Sequence, residues 1–272
     1  MLLEICTVGE KEKKMGKRTL LFILGMLLLI GSAGCSTGDK KASEPKKVLK
    51  VGTSPDFSPF EFMDEKNQMT GFDIELIQAL GKQMNAEINL QNLSFDGLIP
   101  ALQAGNLDAI ISGVTITPER EKAVLFTEPY YQSGLVAAVR VENQEIKGWD
   151  DLKGKRIAVQ IGSTGAMNAE KIEGVTVRSF NLSPDTFLEL KNGGVDAVVN
   201  DLPVVQYFIK NHGAKDFKIV GVPRDAESYG IAVHSKNTEL AKQLNAALAE
   251  IKKNGEYDKL YEKWFGQKPS AK

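Results

Sequence analysis

Cysteine and histidine are almost missing from this chain of 272 residues, which has two of each. Cys6 lies ahead of an N-terminal apolar segment and Cys35 closes it, so no disulfide within a processed chain is expected. His212 sits in Asn211-His212-Gly213 after an apolar helical stretch, and His234 ends a strand-like run. Neither falls in a loop that looks like a pocket. A metal cluster or a Cys/His nucleophile therefore lacks its raw material, and no phosphate-binding loop is present. A basic surplus is also lacking: 34 basic residues face 35 acidic ones, for a net charge of −1, so no nucleic acid partner is expected. The longest apolar run, residues 20–30, is well short of the roughly 20 residues that span a bilayer. What remains is ordinary globular material, 42% hydrophobic and 25% charged, enough for one large domain or two small ones.

The short apolar run follows the basic Gly16-Lys17-Arg18 and ends in Ile30-Gly31-Ser32-Ala33-Gly34-Cys35. Residues 1–34 read as a secretory signal, with Met15 an alternative start because 1–14 add a mixed-charge lead that such signals do not need. Ser32-Ala33-Gly34-Cys35 resembles the lipobox of bacterial lipoproteins, which implies lipidation of Cys35 and anchoring to the extracellular face of the cell membrane. A plain signal peptide with a chance cysteine is the other reading. Residues 35–47, rich in Lys with Gly, Ser and Pro, read as a flexible tether.

From residue 48 the periodicity alternates between strand and helix. Strands are expected at 48–52, 87–90 and 109–112, with helices between them from Gly71-Phe72-Asp73 and over 95–104, the latter begun or kinked near Pro100. Phe72, Leu76, Ile77, Leu80 and Met84 share one helical face. A strand at 135–140 and a charged turn at 150–155 follow, and the pattern then restarts. Strands are read at 156–159, 175–180, 197–200, 217–220 and 229–234, and helices at 166–171, 183–192, 203–211, 238–252 and 257–265. The fold class is thus α/β, with two lobes of similar design. Each is a doubly wound, mostly parallel sheet with its sites at the carboxyl ends of the strands. The tail after 234 is too short for a third lobe and is expected to return to the first.

One stretch gathers chemistry: Ser112-Gly113-Val114-Thr115-Ile116-Thr117-Pro118-Glu119-Arg120. It leaves a buried strand, offers hydroxyls, and enters a helix through Thr117 as cap and Pro118 at the first helical position. Arg120 in the first turn opposes the helix dipole unless an anion lies in front of it. A carboxylate pocket accounts for all of this; a surface Arg on a plain helix is the simpler alternative.

The chain closely resembles the extracellular solute-binding proteins of polar amino acid ABC importers, the group of glutamine-, histidine- and arginine-binding proteins. The resemblance rests on Pro59-Phe60-Glu61-Phe62, Gly71-Phe72-Asp73, 95–102, Ile116-Thr117-Pro118-Glu119-Arg120, Phe126-Thr127-Glu128-Pro129-Tyr130-Tyr131, 151–155, 193–197, Gly255-Glu256-Tyr257 and Lys263-Trp264-Phe265-Gly266, in that order. It implies a two-lobe clamp of the type II periplasmic-binding-protein kind: lobe one at 48–133 plus 230–266, lobe two at 134–229, a C-terminal tail at 267–272, and a hinge near 130–134 and 225–229. It also implies ABC permease and ATPase subunits as partners, a monomer, no cofactor and no metal. Residue by residue, it places Arg120 on the α-carboxylate of a free L-amino acid, with Thr115, Gly113, Ser163 and Thr164 around the same group. Asp201 takes the α-ammonium, shared with Ser112 and Gly113. Phe57 and Phe95 wall the side chain, and Ser54 and Gln160 stand at variable positions.

Alternatives stay open at several of these residues. Gly162-Ser163-Thr164-Gly165 also suits an ordinary strand-to-helix turn, Asp201 a helix cap, and Phe95 a core position. Selectivity is the least defined: Ser54 is neutral where many relatives carry Asp, and Gln160 can donate or accept. Asp56 and Glu61 could supply negative charge, and Asn200 an amide. Arginine or another basic amino acid is placed slightly ahead of glutamine. A cyclohexadienyl-dehydratase-like enzyme on the same clamp, and a ligand-sensing domain, are the rival functions; the first needs an acid or base poised in the cleft.

Overall fold

The computed structural model describes residues 46–213 and 215–269. The signal segment, Cys35 and all but the end of the tether lie outside them. Each of two five-stranded sheets is built to one plan. In the first, the order is Ala86–Asn92, Lys47–Thr53, Ala109–Ile110, Ala232–His234, Val124–Phe126. The first three are parallel, and Ala232–His234 runs against both neighbours, so four of the five strands share a direction. In the second, the order is Thr176–Phe180, Arg156–Gln160, Ala197–Asp201, Tyr131–Arg140, Phe217–Tyr229, with Tyr131–Arg140 the reversed strand. The common plan arises without a repeated sequence.

Strand alternation explains why both faces of each sheet are covered. In the second sheet, Ala137, Val139, Ile157, Val159, Ala197 and Val199 pack on one side. Their neighbours Val136, Ala138, Ala158 and Val198 pack on the other with Phe187 and Leu190. In the first sheet, Leu49, Val51, Ile111 and Val233 meet the helices Phe72–Gln83 and Thr238–Lys253, while Ile110 and Ala232 meet Leu98 and Leu102 of Phe95–Gln103. The tail after 234 does return to this first sheet, bringing the helix Glu256–Phe265 against Phe60, Phe72 and Tyr131.

Three expectations need correction. The strand read over 229–234 is two: one ends at Tyr229 in the second sheet, the other starts at Ala232 in the first. Gly230 lies between them, where an added Cβ would come within about 3 Å of Ile116 and Phe126. The run at 217–220 continues with register shifts to Tyr229, because it pairs with the whole length of Tyr131–Arg140. The helix at 203–211 is α-helical over Leu202–Phe208 and then widens to a π turn, Ile209–Gly213. A small antiparallel ribbon, Asp56–Phe57, Glu61–Met63 and Met69–Thr70, was not legible, since two- and three-residue strands carry no period.

The chain passes between the sheets twice, and the two passages lie side by side. Tyr131 pairs with Tyr229, Gln132 with Ser228 and Ser133 with Glu227, while Thr115 bridges to Tyr229. Among the described residues no helix is long and apolar enough to cross a membrane.

Candidate functional site

At the carboxyl ends of the central strands the loops of the two sheets meet around a small, tightly closed cavity. It is lined by Phe57, Phe95, Gly113, Thr115 and Arg120 from one side and by Gln160, Ser163, Thr164 and Asp201 from the other. Sequence reasoning had singled out all nine. Ser54 and Ser112 do not line it. They are buried behind it, where Ser54 N donates to Ser112 Oγ at 3.0 Å and Ser112 Oγ donates to Glu61 Oε1 at 2.8 Å.

Arg120 is placed by the local signals of its own segment. Thr117 Oγ1 caps the short helix Pro118–Glu121 by accepting from Arg120 N at 3.2 Å. Arg120 is 5% exposed, and its guanidinium is held by two carbonyls. It donates through Nη1 to Thr115 O at 2.8 Å and through Nη2 to Gly162 O at 3.0 Å, and lies 5.5 Å from the Phe95 ring centre. Two carbonyls thus fix the plane of the fork and leave other N–H groups directed to the cavity. Burial pulls its pKa down, and the charges of Glu227 and Asp201 oppose that. Gly113 has φ of 52°, and a Cβ there would meet the Phe57 ring at 2.8 Å, so only glycine fits. Ser163 caps the helix Thr164–Ala169 through Ala166 N at 3.0 Å.

Asp201 sits at the start of Leu202–Phe208 but makes no side-chain cap. Instead its Oδ1 accepts from Ser133 Oγ at 3.0 Å and from Tyr229 Oη at 2.5 Å. That argues against a capping role and for a carboxylate held in position. Burial raises its pKa, while hydrogen bonds from Glu227, Tyr229 and Ser133 and the charge of Arg120 lower it.

The candidate selectivity residues are tied to one another. Asp56 Oδ2 accepts from Gln160 Nε2 at 2.9 Å and from Ser183 N at 3.0 Å, joining the small ribbon to the end of the strand Arg156–Gln160 and the start of the helix Ser183–Lys191. Asn200 spends its amide on Ser183 Oγ and Asp201 N and does not line the cavity. Glu61 is fully buried and paired with Asp73. Glu61 Oε2 and Asp73 Oδ1 receive no N–H or O–H among the described residues, burial raises the pKa of both acids, and the charge of Asp73 pushes Glu61 further up. Asp73 Oδ2 in turn accepts from Gly113 N at 2.8 Å and Tyr130 Oη at 2.6 Å. Glu61 is thereby removed from the set of counter-charges facing the cavity. His212 is exposed on the π turn, and His234 Nδ1 accepts from Lys236 N at 3.1 Å.

Sequence reasoning missed Glu227, Tyr229 and Ser133. Glu227 is 4% exposed and accepts from Thr115 Oγ1 at 3.2 Å. The signals were that all three fall in the segments expected as the hinge, and that Glu227 and Tyr229 are two apart on a strand and so face one side, which is weak without knowing what that side meets.

The sequence profile of the bacterial extracellular solute-binding proteins, family 3, matches residues 49–267. The ABC transporter arginine-binding protein 1 of Escherichia coli strain K12 is 38% identical over 250 residues, covering 90% of this chain and 98% of that one. Two solved structures of an ancestral arginine-binding protein, one bound to arginine and one to glutamine, each align at 45% identity with a TM-score of 0.79. The first alignment covers 81% of this chain and 99% of that one, the second 82% and 100%.

Proposed function

The chain belongs to family 3 of the bacterial extracellular solute-binding proteins, and we propose that it is the receptor of an ABC importer for polar amino acids. In this reading, lobes at 48–133 with 230–266 and at 134–229 close on a free L-amino acid and present it to a membrane permease served by an ATPase. Lipidated Cys35 tethers the chain, as a monomer, to the extracellular face of the membrane.

One observation carries the reading: a single cavity sets a buried guanidinium, Arg120, against a buried carboxylate, Asp201. An amino acid presents the complementary pair of charges. Its carboxylate would take the N–H groups of Arg120 with the Thr115, Ser163 and Thr164 edge of the cavity. Its ammonium would take Asp201 and the Gly113 carbonyl, and Phe57 and Phe95 would flank its side chain. Ser54 and Ser112 would act from behind, by holding the loop that carries Gly113. Asp56 beside Gln160 supplies negative charge near the cavity, which favours arginine or another basic amino acid, with glutamine next.

Thermal unfolding of the protein against each of the twenty amino acids, after refolding to strip carried-over ligand, tests this. A ligand at 100 times its Kd adds about 2.7 kcal/mol. A shift with basic amino acids supports both the amino-acid receptor and the ligand order. A shift with glutamine alone keeps the receptor and reverses the ligand order. No shift in a folded sample overturns it. The dehydratase-like alternative draws on the buried acid Glu227 near the cavity; recovery of the ligand chemically unchanged after incubation counts against it.

A further inference from the structure

Asp201 is not the only acid at its end of the cavity. Glu227, from the strand Phe217–Tyr229, is buried and lies opposite Ser133, whose hydroxyl donates to Asp201 Oδ1 at 3.0 Å. Thr115 Oγ1 donates to Glu227 Oε2 at 3.2 Å, and Thr115 lines the cavity with Thr164 and Asp201, so Glu227 stands directly behind that wall. The other groups that bear on this pair are Arg120 from the short helix Pro118–Glu121, Tyr229 from the same strand as Glu227, and Ser133 from the strand alongside.

Two carboxyl groups that are both buried and both set around Ser133 repel each other when ionised, which favours keeping one proton on the pair. Asp201 already takes the hydroxyl protons of Ser133 and Tyr229 on Oδ1, which suits it to be the anion and leaves Glu227 as the acid. Burial and the neighbouring Asp201 charge act in the same sense, pushing the Glu227 pKa up to about 9. An ammonium brings three N–H donors into this space, and they seek the oxygens that the proton now holds.

We propose that Glu227 is a specificity-determining residue, forming with Asp201 a two-carboxylate seat for the ligand's α-ammonium, which enters in exchange for the proton the two acids share. The Glu227 O–H bond breaks, the proton passes to solvent, and the carboxylate left behind accepts from the ammonium. This rests on the amino-acid reading above and extends it to ligand charge. With Glu227 ionised, Arg120, Asp201 and Glu227 sum to one negative charge, and a zwitterion adds none. A ligand with a cationic side chain brings the cavity to neutrality.

Titration calorimetry of the full chain with arginine near pH 7, in phosphate and in Tris, tests the proposal, with glutamine as second titrant. The expected result is release of close to one proton per arginine bound, seen as heat that depends on the buffer. Affinity should then rise by up to about tenfold per pH unit between about pH 6 and pH 8. Glu227→Gln should bind arginine more weakly, release no proton and show a flat pH profile; a merely structural role would not change the proton count. Binding by the unaltered protein without proton release overturns the proposal while leaving the amino-acid reading intact. Undiminished release from Glu227→Gln also overturns it, because the proton then comes from elsewhere. Absence of heat from every amino acid overturns both readings together.

Discussion

At the scale of single residues the site is a set of charges that cannot be replaced by near equivalents. Arg120 has two of its N–H groups fixed on carbonyls, which orients the rest; lysine is a point charge with no such fork. Arg120→Lys should weaken amino acid binding by about 100-fold, or roughly 3 kcal/mol, with the fold intact; calorimetry showing less than a threefold loss would remove Arg120 from the carboxylate. Gly113→Ala meets both a positive φ and the Phe57 ring, so it should cost about 1–3 kcal/mol, read as a lower Tm. The buried acids give a pH signature. Asp56, Glu61, Asp73, Asp201 and Glu227 all have raised pKa values, with burial the largest cause in each case. Such groups keep their protons in the folded chain where the unfolded chain has lost them. Their contribution is therefore full below the ordinary carboxylate range and lost as pH rises through the raised values. For Glu227 that window runs from its ordinary 4.5 to about 9. The ligand-free protein should show a falling Tm between about pH 5 and pH 9, with a shallower slope in Glu227→Gln; a Tm that rises across this range would contradict the assignment.

Among the elements, the most exposed to failure is the returning C-terminal pair of helices, which holds the first sheet closed. Thr238–Lys253 carries Leu240, Leu244, Leu248 and Ile251 on one buried face, capped by Asn237 through Leu240 N at 3.2 Å. Leu244→Ala should cost about 2–5 kcal/mol and lower Tm by several degrees, whereas the exposed Lys242→Ala should leave it nearly unchanged. These helices were legible because a 3.6-residue period, a cap and a glycine stop coincide. The short ribbon at 56–70 and the strand Val124–Phe126 were not, since their partners, and not their own sequence, make them strands. The break at Gly230 belongs to the same class: an apolar run reads as continuous until it is known that its two halves serve different sheets.

On the scale of the whole molecule, the contacts that join the two sheets around the cavity are the ones expected to set how long a ligand stays in the proposed site. Asp56 reaches Gln160 and Ser183, and Arg120 reaches Gly162. Asp56→Ala removes the acceptor for both Gln160 and Ser183 at once. It should speed release of bound arginine by about tenfold with little effect on association, a loss of roughly 1.4 kcal/mol. Stopped-flow dissociation checks it, and an unchanged off-rate would show that closure does not depend on this contact. By itself the sequence determined the alternation of strand and helix and the capped turn that presents Arg120, because caps, periods and glycine turns act over a few residues, while the other residues of the cavity were reached only through the resemblance to a known family. Only the tertiary structure decided which acids do what. It took Glu61 into a buried pair with Asp73, tied Asp56 across the cleft, and brought Glu227 to Asp201. Burial and pairing set the charge of a carboxyl group, and both depend on residues far away in the chain.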